Sequence, residues 1–285
     1  MTQSSGSFGR RIVIGAGLTT LAGLRASPAR AASGSWQTIM QSGVVRFGVL
    51  TNHVPYHVFQ DGKWTGFAIH IGQDCMDALS AEMKRPLRAE YIETSLATVI
   101  LDLQSDKLDL YFGLTASPER RKAVDLFGPI YALPECAINR QGFDPGDTWA
   151  AYDKPSVSVS VVMGSTDEQA AQKMLPHADV RSLKSTAEAI LDVQSGNSNA
   201  TINTLLSGMA AKKQVPSLGN PVVLQPLLSQ PSTGGTRKDG DGRFFAFLQK
   251  WATEYRADGK SKQAILTAME QFGLDTSHLP PALEF

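Results

Sequence analysis

Beyond residue 40 the hydrophobic positions switch repeatedly between two periods, one suited to strands and one to helices. VVRFGVL (44–50) reads as a strand, and the polar, proline-containing NHVPYHVFQDGKWTG (52–66) as loops or a hairpin. Apolar residues from Ile69 to Met83 then recur at helical spacing. RAEYIET (88–94) reads as a second strand, LATVILDLQSDK (96–107) as a second helix and LDLYFGL (108–114) as a third strand. This alternation predicts right-handed parallel crossovers and an open α/β sheet.

A second unit repeats the logic. SVSVSVVM (156–163) predicts a strand, about 167–175 a helix, ADVRSL (178–183) a strand, 185–194 a helix, and ATIN (200–203) a strand. LDLQSDKLDLY (101–111) and LDVQSGNSNAT (191–201) share an LD-x-QS core, an internal echo of two similar lobes. LPECAIN (133–139) and QPSTGGTRK (230–238) read as extended connections between the units. From Asp241 two amphipathic helices follow, separated by an Asp258-Gly259 turn. If the chain crosses back at 230–238, those helices rejoin the first lobe, and two crossings make a hinge. The expected division is 44–134 plus 236–285 for lobe 1 and 138–231 for lobe 2.

Composition sharpens this picture at the amino terminus. The first 31 residues carry four arginines, no acid and a modest apolar stretch from Ile12 to Leu24, the pattern of an export signal. Arg10 and Arg11 precede that stretch, so the segment resembles a twin-arginine signal, and Ala29-Arg30-Ala31 offers a cleavage site. Cleavage near Ala31 would place the protein in the periplasm. It would also leave four fewer bases than the 27 acids, which argues against a nucleic-acid partner. Cys75 and Cys136 could pair in an oxidising compartment, and whether they do stays open. His53, His57 and His70 show no ligand-spaced pair, so no metal or other cofactor is expected.

Chemistry concentrates at GLTASPERR (113–121). Ser117, Pro118 and Glu119 form a helix start, with a capping serine, proline at the first position and an acid in the first turn. Arg120 then sits in the opening turn, where free N–H groups and the positive end of the helix dipole already favour an anion. Thr115 and the main chain at Gly113 complete a possible anion grip, beyond the carboxyl end of a strand, where ligands of open α/β sheets bind. Gly164-Ser165-Thr166 occupies the corresponding corner of the second unit, with Asp167 and Glu168 in the first turn. A plain helix cap explains that second corner equally well.

These segments resemble the extracellular solute-binding proteins, family 3, which serve amino-acid ABC importers. The resemblance rests on VVRFGVL…VPY…GKWTGFAIHI, LQSDKLDLYFGLTASPERRKAVDLFGPIY, VVMGSTDEQ and RKDGDGRFFAFLQKW. It implies a two-lobed, type II periplasmic binding protein fold, each lobe an open, mostly parallel sheet flanked by helices. It implies that Arg120 binds the ligand's carboxylate, with Thr115 and Gly113 as polar partners and Thr166 as the second-lobe contact. His53 takes the place of a stacking aromatic, and Ser95, or its neighbour Leu96, that of a second. Thr204, or Asn203, stands where the family places the acid that binds an α-ammonium, so an ordinary amino acid becomes doubtful. The expected partners are a small carboxylate solute and a membrane permease, with the protein a monomer and not an enzyme. Two alternatives carry their own signatures: a cyclohexadienyl dehydratase-like enzyme, which needs a general acid in the cleft, and an accessory protein of quinoprotein dehydrogenases, which needs a protein partner.

Overall fold

A computed structural model describes residues 34–276, so the expected export signal lies outside the described residues. In chain order the first lobe begins with α1 (Ser35–Ser42), β1 (Val44–Val49), the hairpin strands β2 (Val58–Gln60) and β3 (Lys63–Thr65), and α2 (Phe67–Met83). It continues through β4 (Arg88–Glu93), α3 (Val99–Gln104), β5 (Tyr111–Thr115), α4 (Pro118–Ala123) and the long strand β6 (Asp125–Asn139). The second lobe holds α5 (Trp149–Tyr152), β7 (Ser158–Val162), α6 (Thr166–Met174), β8 (Asp179–Leu183), α7 (Thr186–Gln194), β9 (Ala200–Thr204), α8 (Leu205–Gln214) and β10 (Pro221–Val223). β11 (Ser229–Thr236) then returns the chain to α9 (Arg243–Ala257) and α10 (Lys260–Gln271), which pack on α2.

Parallel pairing follows the strand–helix–strand rhythm. β1 pairs β4, and β7 lies between β8 and β9, all parallel. β1 also reaches the strand side of β5 through a parallel bridge from Phe47 to Leu110. The departure from an all-parallel sheet is β6 and β11. They run antiparallel to each other and join both lobes into one sheet of order β5-β11-β6-β9-β7-β8, with β10 also on β6. The segment 133–139 and residues 230–236 of the segment 230–238, expected as extended connections, are therefore ladder strands. Their backbone groups are satisfied by pairing while they cross from lobe to lobe.

The repeated LD-x-QS core marks the same turn twice. After α3 the carbonyl of Asp102 accepts the amides of Lys107 and Leu108, and after α7 the carbonyl of Asp192 accepts those of Asn197 and Ser198. Each turn delivers the chain to the strand, β5 or β9, whose carboxyl end faces the cleft. Apolar burial holds the lobes: Val159, Val161, Trp149 and Ile202 anchor one cluster in the second lobe. A larger cluster runs from Phe67 and Phe112 through Tyr131 to Leu205 and Leu206. Cys75 and Cys136 are both free and buried.

Candidate functional site

The first-lobe corner folds as its local chemistry dictates. The Ser117 hydroxyl accepts the Arg120 amide at 3.3 Å and caps α4. That fixes Arg120 one turn in, and its side chain is only 7% exposed. Nη1 donates to the Thr115 carbonyl at 3.1 Å, and Nη2 reaches across to the Gly164 carbonyl of the second lobe at 3.0 Å. A guanidinium has five N–H donors, so these two bonds leave others for a ligand. No carboxylate forms a salt bridge with it among the described residues. Burial lowers its pKa from the ordinary arginine value, while Tyr111 and Asp167 oppose that fall, and the group stays cationic. Gly113 adopts φ +99°, a left-handed conformation that favours glycine.

The second-lobe corner is a matching helix start. Ser165 accepts the Glu168 amide at 2.9 Å, and the Glu168 carboxylate accepts the Gly164 amide at 2.7 Å. With Glu168 closing the cap, Asp167 is spare and turns inward to 7% exposure. The Thr166 and Thr115 hydroxyls meet at 3.0 Å across the cleft. On the other side the Tyr56 hydroxyl meets Thr204 Oγ1 at 2.7 Å, and His53 stacks on Tyr56 with ring centroids 4.3 Å apart. Gly164 sits at φ +77° against Ala97, whose Cα would lie 2.8 Å from any added Cβ. The lobes are thus in direct contact, with a cavity of about 60 Å³ between them.

His53, Gly113, Thr115, Arg120, Thr166 and Thr204 all line that cavity. Ser95 does not. It lines an adjoining cleft with Thr51 and Lys184, and its neighbour Leu96 reaches the cavity instead. The correction has a simple cause: residues 94–98 form a tight turn in which Ser95 bonds the Thr98 hydroxyl, so the side chain one position later faces inward. Tyr56 also forms part of the wall.

Two acids in the wall were not anticipated. Glu135, on β6, is 3% exposed and lies against Asp167, within hydrogen-bonding reach. Burial pushes the Glu135 pKa well above the carboxylate range, and the charge of Asp167 adds to the rise. Burial raises Asp167 as well, opposed by Glu135 and by Arg120. A signal for Glu135 was present: it is the one charged residue in the otherwise buried run LPECAIN, and charges are seldom buried without a task. For Asp167 the signal was redundancy, since a Ser-x-x-Glu cap needs only Glu168.

Residues 45–267 match the model of the bacterial extracellular solute-binding proteins, family 3. A glutamine-binding ABC-transporter protein of Bacillus subtilis is 28% identical over 213 residues, covering 69% of this chain and 76% of the relative. A probable histidine-binding protein of Campylobacter jejuni is 26% identical over 159 residues, covering 55% of this chain; the chain spans 59% of that relative's length. A solved ancestral amino acid-binding protein, described as a precursor of cyclohexadienyl dehydratase, superposes with a TM-score of 0.71 at 26% identity, covering 84% of this chain and 99% of the other. With the match spanning most of the chain, and with two lobes closing on a buried guanidinium, the protein belongs to the family 3 extracellular solute-binding proteins.

Proposed function

We propose that this protein captures a small carboxylate-bearing solute, an α-amino acid, between its lobes outside the cytoplasm and presents it to the permease of an ABC-type importer. The observation that carries the reading is Arg120: a guanidinium buried in the interlobe cavity, held by main-chain carbonyls of both lobes and in salt-bridge contact with no carboxylate among the described residues. Taking such a cation out of water costs several kcal/mol unless an anion meets it. Gly113, Thr115 and Thr166 orient the carboxylate, and His53, Thr204 and Leu96 shape the rest of the wall. Lobes divided near 44–134 plus 236–285 and 138–231 would part by flexing β6 and β11. The names of the glutamine- and histidine-binding relatives support an amino-acid cargo, and the arginine-rich first 31 residues support export. A thermal-shift panel of amino, keto and dicarboxylic acids, with mass spectrometry of any copurifying solute, tests it. Stabilisation by at least one amino acid is expected, and a panel blank for every acid contradicts the reading.

A second reading draws on Glu135. A carboxyl group whose pKa burial raises, inside a carboxylate-binding cleft, is what a dehydratase would use as its general acid. Incubation with prephenate and arogenate decides between the two, because a binding protein leaves both unchanged.

A further inference from the structure

We propose that Glu135 and Asp167 form a subsite for the ligand's ammonium group, and that a proton shared between their carboxyl groups leaves to solvent when the ammonium takes its place. This rests on the function proposed above, since the ammonium is that of the amino acid whose carboxylate Arg120 holds.

Placement comes first. In the antiparallel β6–β9 ladder Glu135 pairs directly with Thr204. The strand end of β9 therefore offers no acid, and the Thr204 hydroxyl is already engaged with Tyr56 and Ser207, while Glu135 stands one strand away on the same stretch of wall. Glu135 Oε2 is buried and has no hydrogen-bond partner among the described residues. A buried lone pair without a donor is costly, and an ammonium supplies three donors.

Charge points the same way. Asp167 faces Glu135 from α6, and Arg120 acts on Asp167 from α4. Tyr56 faces the pair from the loop after β1, His53 shares the cavity as a neutral ring, and Tyr131 and Cys136 flank Glu135 on β6. Thr204 and Ser232 contribute uncharged walls from β9 and β11. Two carboxyl groups this close in a dry cavity do not both ionise. Arg120 favours the charge on Asp167, so the proton resides on Glu135. A bound ammonium supplies the positive charge that the proton supplied. Glu135 then ionises, the proton passes to water, and the net charge of the subsite is unchanged.

Isothermal titration in two buffers of different ionisation enthalpy tests this, using L-glutamine and L-histidine with their des-amino counterparts glutaramate and imidazolepropionate. The intact protein is expected to release about one proton per amino acid bound, so affinity rises by up to about tenfold per pH unit over the range in which the ligand-free pair still holds its proton. Glu135→Gln is expected to weaken the amino acid by about thirtyfold or more while leaving the des-amino acid unchanged or tighter, and to abolish the proton release. Asp167→Asn serves as a second variant, expected to weaken the amino acid while leaving the des-amino acid unchanged or tighter, should Glu135→Gln fold poorly. An amino acid bound without proton release, or bound equally well by Glu135→Gln, overturns the subsite and leaves the carboxylate anchor standing. Failure of all four acids to bind, with the thermal-shift panel blank as well, overturns the proposed function and the subsite together; should the panel name another amino acid, that one and its des-amino counterpart take their place in the same titration.

Discussion

His57 shows what burying a titratable side chain costs. It is 2% exposed, and burial first, then the neighbouring His53, pulls its pKa down to about 3. The unfolded chain takes up the proton near pH 6.5 and the folded one does not, so stability is full well above pH 6.5 and falls as the pH drops toward 3. Urea titrations should show His57 costing the protein about 1.6 kcal/mol between pH 6.5 and pH 5, and His57→Asn should remove that part of the loss. An equal loss in the variant would contradict the assignment. Arg120 and Glu135 are likewise charged-type residues that folding alone would not favour burying, yet they were legible to very different degrees. Arg120 announces itself because its position follows from neighbours: a strand ending at Thr115, a serine cap and a proline fix the next turn. Glu135 owes its position to Thr204 across a ladder, a pairing that no local pattern encodes. Ser95 and Leu96 differ by one residue within a turn, and spacing alone does not decide which of two adjacent side chains faces in.

At the level of elements, the site is two helix starts facing each other, and each cap has a separable effect. Ser117→Ala removes the α4 cap, for which about 1 kcal/mol of stability is expected. It should also weaken carboxylate binding several-fold, because the turn that aims Arg120 loses its tether. Equilibrium unfolding and titration of the same sample measure both, and a stability loss without an affinity loss would detach the cap from the site. Gly164→Ala tests the opposite corner. Its Cβ would strike the main chain of Leu96 and Ala97 in the other lobe, so the clash falls mainly on the closed form. Affinity is expected to fall by about tenfold or more, with a loss of about 1 kcal/mol from the positive φ in the ligand-free protein. The alternating strands and longer helices of both units were legible from periodicity, whereas α1, α5, α8 and β10 carried no pattern strong enough to mark them. What periodicity missed was the antiparallel role of β6 and β11, which depends on partners far away in sequence.

For the whole molecule, closure is the act that matters. Thr115 with Thr166, Tyr56 with Thr204, and Arg120 with the Gly164 carbonyl all join the lobes, and every one of these bonds borders the cavity. On the function proposed here, closing dries the charges as a ligand meets them, which strengthens each contact, and β6 and β11 would flex, since they are the strands that cross between the lobes. The two-lobed plan was legible in the repeated LD-x-QS turn and the double strand–helix alternation, whereas the acid pair at the seam needed both lobes in place to be seen. All of it depends on Arg120 as the anchor. Calorimetric titration of Arg120→Ala against the unaltered protein, with an amino acid that the unaltered protein binds, tests this most directly: loss of measurable binding with the thermal unfolding transition retained is the expected result, and an unchanged affinity would contradict the account.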